Sequence, residues 1–500
     1  MDAEVALHET ATIDVTVARE AFAAPLRSQS TDASASVALQ QTLTLELIPR
    51  LNLQAVGRRR FDIPPPAPGQ PFTACFDVQP TAAGPAEAWV RVRQDGVPLV
   101  TLELQCRVVS GTPPKPGRLV LPAAIAEPTH VAAPQHQLTI FERLDQGRVS
   151  YQFILDSTAF HWKHVFESPP LAGDRQAYID RRYAEIEQRW LGNQEHRDLF
   201  QDELRAIGAQ IWDDLFPPDL QRLLWERRQD LHAILVFSEE PFIPWELVHF
   251  KEPGRALSAE TRFFAQCGLV RWLHRRDALA HQGYPPSQLH ARPGRCRFII
   301  PDYPDPAHRL PEADLERAFL QHHFQATPID PQPGPVQTAL RAPGTFDLLH
   351  FAGHGEAESQ NIASARLLLQ GRVDARNTWL PASLPESAVR QFAQLAGPDG
   401  CRPLVFLNAC QAGRAGYHLT GIGGFARAFL HAGAGAFVGS SWAVGDAPAR
   451  TFGEHFYQAL LSGQTLAAAA NAGREAARAG GDASWLAYTV YGHPDARLQR

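Results

Sequence analysis

Four short apolar runs in the C-terminal part of the chain do most to limit its fold. They are RFIIP (297–301), FDLLHF (346–351), PLVFLNA (403–409) and GAFVGS (435–440). Each is continuous rather than alternating, the pattern of a parallel strand covered on both faces. Between them lie the helix-like stretches EADLERAFLQHHF, ESAVRQFAQLA and IGGFARAFLHAG. Strand and helix in turn predict an α/β region with a doubly wound, mainly parallel sheet.

The N-terminal part follows a different rule. QTLTLELIPRLNL sends Leu43, Leu45 and Leu47 to one face, and two alternating runs flank Asp95-Gly96, a hairpin turn pair. An all-β, sandwich-like domain is expected over residues 1–128, ended by the proline-rich SGTPPKPGR segment. Residues 129–292 open with a second hairpin turning at Asp145 to Gly147 and then become helical, with Tyr183, Ile186 and Trp190 at helical spacing before the strand-like HAILVF. The third region, 293–500, holds the four apolar runs.

Composition narrows the function classes. A net charge of -6 over 500 residues argues against a chain dominated by phosphate contacts, although GRRRF (57–61) and RWLHRRD (271–277) are locally basic. Nucleic acid is therefore not an expected partner. The acidic N-terminus lacks the order of a signal peptide, and no apolar run is long enough to span a bilayer, so a cytoplasmic protein is expected. Six cysteines without CxxC spacing predict free thiols rather than a disulfide framework or a structural zinc site.

Two of the predicted strands end in chemically suggestive turns, LLHF-AGHGE at His354 and LVFLN-ACQAG at Cys410. Reactive groups in open α/β sheets sit beyond the carboxyl ends of the strands, so neighbouring strands would bring His354 and Cys410 into one crevice. A thiol with an ordinary pKa of about 8.5 needs such an imidazole to act as a nucleophile at neutral pH. Gly353 and Gly355 give the backbone room to turn and approach a substrate, and the N–H groups of Gly355 and Cys410 are candidate oxyanion donors. Two other readings compete: a solvated turn histidine, and zinc binding by His350 with His354, which lacks both a helix and a carboxylate between the pair. Cys401, in the GPDGCRP loop, reads as inert.

The motifs DLLHFAGHG, LVFLNACQAG, GIGGFARAFLHAGAGAFVGSSWAVGD and WLAYTVYGHP resemble, in that order, the CHAT family of caspase-like cysteine peptidases related to separase. EEPFIPWELVHF (239–250) resembles an element of the same family's first half, so the resemblance spans roughly 131–500. It implies a general-base role for His354, a nucleophilic Cys410, and a first half, within 129–292, without a catalytic pair of its own. Asn408, two residues before Cys410, is a candidate to line the substrate pocket, at a position where some caspase-like relatives carry an acid. Asp446 matches an acidic position that can receive a P1 arginine, and reads equally well as an N-cap of its own helix. Trp442 is either a pocket wall or core packing.

The dyad predicts a cysteine endopeptidase that needs no cofactor, and the resemblance further implies limited cleavage of a partner protein, expected to be encoded nearby, in bacterial defence, stress or cell-death signalling. The N-terminal domain is then expected to sense or dock an activating partner. The competing readings are an adaptor that keeps the fold and leaves the dyad unused, and an acyltransferase or ligase that uses the same dyad with an amine in place of water.

Overall fold

The computed structural model describes residues 3–18, 33–36, 41–67, 70–94, 96–111, 119–126, 133–171, 173, 175–192, 197–257, 262–274, 284–358, 361–409, 422–442, 444–480 and 483–500. The chain divides into two compact units. The first takes in residues 1–133, 139–175 and 274–284, and the second 134–138, 176–273 and 285–500. The hairpin formed by His136–Asp145 and Arg148–Ser157 was expected in the middle region, yet nearly all of it belongs to the first unit.

The first unit is built from two sheets. One runs in the order Ala3–Ala6, Val97–Val109, Gly84–Gln94, Leu43–Leu51 and continues to His136–Asp145 through the pairing of Leu51 with Leu144. The other runs Ala33–Ser36, Leu119–Ala126, Ala11–Ala18, Phe72–Pro80, Leu53–Val56. Leu43, Leu45 and Leu47 share a core with Ile13, Val15, Val17 and Phe76 of the second sheet, as the alternation predicts. The opposite face of the same strand is also covered. There Glu46 pairs with Arg91 at 2.9 Å, Arg93 reaches Asp156 at 2.5 Å, and Ile48, Trp89, Phe141 and Ile154 form a smaller apolar cluster. In GRRRF, Arg59 is paired with Glu167 and Arg60 with Asp62 and Asp156, so two of its three arginines are neutralised within their own unit.

The second unit is organised around eight strands: β1 (Ile234–Ser238), β2 (Val270–Leu273), β3 (Cys296–Ile299), β4 (Thr327–Pro328), β5 (Leu348–Gly353), β6 (Leu404–Ala409), β7 (Ala436–Ser440) and β8 (Tyr488–Tyr491). They lie in the order β1-β2-β8-β7-β6-β5-β3-β4. All neighbours are parallel except β7 and β8, so a three-strand and a five-strand parallel block meet along one antiparallel seam. The mainly parallel sheet read from the apolar runs is present, and every residue of β1, β5, β6, β7 and β8 is buried.

From β3 the chain passes to β4 on one side and to β5 on the other. The order therefore reverses between β3 and β5, and a crevice opens at the carboxyl ends of the strands at such a point. The loop after β3 and the turn after β5 both emerge there. Helix α1 (Pro311–Phe324) follows that loop, and α2 (Asp446–Leu461) packs beside it. A three-stranded antiparallel sheet (Gly355–Glu358, Asn361–Val373, Trp379–Pro385) follows β5 directly. Among the described residues no helix is long and apolar enough to cross a membrane.

Candidate active site

Strand β5 pairs with β6 in unbroken parallel register from Leu348 opposite Leu404 to Gly353 opposite Ala409. The next residue on β5 is His354. The next in sequence after β6 is Cys410, which lies outside the described residues, as does the stretch that follows it to 421.

The glycines beside His354 are explained by space rather than by a left-handed turn, since neither has a positive φ. A Cβ at Gly353 would stand 2.7 Å from the Phe351 ring and 2.8 Å from the Tyr303 hydroxyl. At Gly355 it would come within 3.0 Å of the Ala409 Cβ. Close packing, in place of the expected sharp turn, accounts for glycine at both positions.

His354 is 3% exposed. Its Nε2 lies 2.8 Å from the backbone carbonyl of His308, in the loop after β3. A carbonyl only accepts, so Nε2 carries the proton and Nδ1 is the nitrogen without one in the neutral ring. Aromatic rings hold the imidazole from two sides: Tyr303 at a centroid distance of 4.9 Å and His308, edge to face, at 5.4 Å. Trp379, from the antiparallel sheet, packs on both Tyr303 and His308 and donates its indole N–H to the Gln370 carbonyl at 2.7 Å. Sequence reasoning missed Tyr303, His308 and Trp379. Nothing in PDYPDPAHRL marks it as a site until the strand order brings it to the β5 end.

A second polar group lies beneath the sheet. His350, in the middle of β5, stacks on Phe406 and has Nδ1 2.9 Å from the Tyr457 hydroxyl and Nε2 2.8 Å from Glu316. Both ring nitrogens are therefore committed, which removes His350 as a metal ligand. Among the described residues no group of three or more His, Cys, Asp or Glu side chains is placed to hold a metal ion. Asn408 donates to the other Glu316 oxygen at 2.9 Å and accepts from the Tyr488 hydroxyl at 2.8 Å. At 2% exposure Asn408 braces the end of β6 instead of presenting its amide to solvent.

Asp446 is the first residue of α2, yet its carboxylate accepts from the backbone N–H of Glu312, near the start of α1, at 3.0 Å. It caps the neighbouring helix rather than its own, where Gly445 is the N-cap. Burial, and the adjacent Glu316 and Glu312, raise its pKa above the ordinary aspartate value against the opposing pull of that hydrogen bond. Trp442 is buried, with an indole N–H that has no hydrogen-bond partner among the described residues. Among the described cysteines, burial pushes the thiols of Cys106, Cys296 and Cys401 up to about 11 and that of Cys267 to about 12. Cys401 sits 3.5 Å from the buried Asp347 carboxylate, which adds to its shift.

The EEPFIPWELVHF element also has a physical role. Glu246 forms a buried 2.5 Å pair with Arg271, whose guanidinium also donates to the Pro241 and Ile243 carbonyls at 3.0 and 2.6 Å. One cation thus ties β2 to the turn that follows β1.

A two-block α/β sheet with a buried, oriented histidine at its switch point defines an α/β protein whose candidate chemistry is concentrated where β5 and β6 end. The family model described as the CHAT domain matches residues 205–493, and the chain belongs to that family. A model described as a domain of unknown function (DUF7363) matches residues 1–104. No curated protein matches the chain. Among solved structures, the separase–securin complex of Saccharomyces cerevisiae is similar at 10% identity and a TM-score of 0.40, with 73% of this chain and 30% of that chain covered. The complex of the pro- and mature domains of Porphyromonas gingivalis RgpB is similar at 14% identity and a TM-score of 0.33, covering 59% of this chain and 69% of that one. This chain therefore matches less than a third of the length of the separase chain.

Proposed function

We propose that the protein is a caspase-like cysteine endopeptidase that makes limited cuts in a protein partner. The observation that carries this reading is the His354 imidazole, turned by the His308 carbonyl at 2.8 Å at the end of the strand paired in register with the one leading to Cys410. In the reaction His354 takes the Cys410 proton, and the thiolate adds to the scissile carbonyl. The resulting tetrahedral oxyanion is received by the N–H groups of Gly355 and Cys410. His354 then protonates the departing amine and leaves a thioester, which water hydrolyses with the same imidazole as base.

Antiparallel alternation supports the part given to Gly355. The Leu368 N–H donates to the His354 carbonyl, so the Gly355 N–H turns to the opposite edge of the strand, away from residues 361–373. Asp446 is the proposed acceptor for a basic P1 side chain, with Glu316 and Glu312 deepening the negative field beside it. The substrate is proposed to be encoded nearby and to serve defence, stress or cell-death signalling, with the first unit docking an activator.

The test incubates the protein and its Cys410→Ala form with proteins encoded by its genomic neighbours and maps new termini by mass spectrometry. A cut made by the native chain and absent from Cys410→Ala is expected, after Arg or Lys. A cellular effect retained in full by Cys410→Ala would instead establish the adaptor reading.

A further inference from the structure

We infer that Tyr303 is a positioning residue for His354, acting through a hydroxyl inserted into the β-ladder beside it. In a regular antiparallel pair of the hydrogen-bonded kind, two opposite residues exchange two N–H to O=C bonds. His354 and Leu368 stand where the ladder of Gly355 with Leu367 would continue, and they exchange only one directly: Leu368 N–H to the His354 carbonyl at 2.9 Å. The other is interrupted. His354 N–H donates to the Tyr303 hydroxyl at 3.0 Å, and that hydroxyl donates to the Leu368 carbonyl at 2.9 Å.

The inserted oxygen holds the two strands apart at the residue that must present its ring to the crevice. Tyr303 is 5% exposed, and its ring is fixed between Trp379 and the His354 imidazole. The same loop supplies the His308 carbonyl that orients Nε2. One loop thus sets both the main chain and the ring of His354. Gly353 belongs to the same device, because a methyl group there would stand 2.8 Å from the hydroxyl oxygen. Without the hydroxyl, the His354 N–H and the Leu368 carbonyl either lose their partners or close on one another, and closure draws His354 toward residue 368 and off the His308 carbonyl.

This inference rests on the dyad proposed above, and the experiment separates the two. The rate of Cys410 alkylation by iodoacetamide is followed by peptide mass mapping from pH 5.5 to 9, with the exposed Cys75 as internal reference. Native chain, His354→Ala, Tyr303→Phe and Tyr303→Gln are compared. Tyr303→Phe keeps the ring packing and removes only the bridging oxygen. It is expected to move the labelling midpoint toward that of an ordinary thiol by about one pH unit, roughly a tenfold slower reaction on the acid side. Tyr303→Gln, whose amide can both accept and donate, is expected to restore part of the shift. Native and Tyr303→Phe profiles that coincide, while His354→Ala differs from both, overturn the role of Tyr303 alone. Coincident native and His354→Ala profiles overturn the dyad itself. If thermal melting shows Tyr303→Phe unfolded, Tyr303→Gln decides: a native-like midpoint supports the bridge, and a midpoint equal to that of His354→Ala overturns it.

Discussion

At Asp446 the observed cap of α1 and the proposed P1 contact would share one carboxylate, and they separate by substitution. Asp446→Asn keeps an oxygen for the Glu312 N–H while removing charge from beside Glu316 and Glu312, so thermal stability at pH 7 should stay level or rise slightly. Asp446→Ala loses the cap and should destabilise by about 1 kcal/mol. Cleavage after arginine should fall in both. Loss of cleavage only in the alanine variant would mean that the residue serves α1 and nothing else. The shifts of the buried thiols give a second expectation at this scale: iodoacetamide at pH 7 should leave Cys106, Cys267, Cys296 and Cys401 unlabelled in the folded chain. An aspartate before a predicted helix is legible as a cap, but which helix it caps is not. Glu312 lies 134 residues away, and only the packing of α1 on α2 makes the bond.

Strand β5 shows how much of an element can be read and where reading stops. Its apolar run marks a buried parallel strand, and the observed Leu348–Gly353 agrees with it. The base of the strand was not legible. There Asp347, buried, receives Arg292 at 2.7 Å and Arg295 at 2.9 Å from the approach to β3. Burial alone would raise this carboxyl, but the two guanidinium groups hold it well below the usual carboxylate range. Because its folded pKa is depressed, the stability it contributes is present above the unfolded value of about 3.9 and is lost as pH falls through the folded value. Asp347→Asn should therefore lower the urea midpoint of the second unit at pH 7, by an amount worth about 1 to 3 kcal/mol. The gap from the native chain should shrink at pH 3, and an undiminished gap there would count against the ion pairs. The antiparallel sheet after β5 was missed as well. ASARLLLQGRV reads as neither clean alternation nor a helix, and its register with Trp379–Pro385 is irregular between Leu369 and Arg372.

For the whole molecule, the all-β and α/β regions were legible because their hydrophobic periods differ. The path between them was not, because nothing local marks the return of residues 139–175 and 274–284 to the first unit. A cut at the proline-rich segment would not isolate that unit. A chain starting at residue 129 would keep Phe141 and Ile154 but lose Ile48 and Trp89 from the same cluster. Such a fragment should bind more ANS and elute from gel filtration as larger species than the full chain. Breaking the Glu246 to Arg271 pair should also act on the whole second unit, since Glu246→Ala strands a buried cation at a penalty of about 3 to 5 kcal/mol, to be read as a lower melting temperature.

The twofold return of the chain to its first unit also sets a schedule for synthesis. The first unit opens at the N-terminus, yet its last segment ends at residue 284, after the helices Arg175–Gly192, Arg197–Leu215 and Pro218–Glu226 have all been made. Vectorial emergence from the ribosome therefore cannot complete this unit before part of the second has been made. Its finished form must wait for the start of the second, whose own last segment runs on to residue 500.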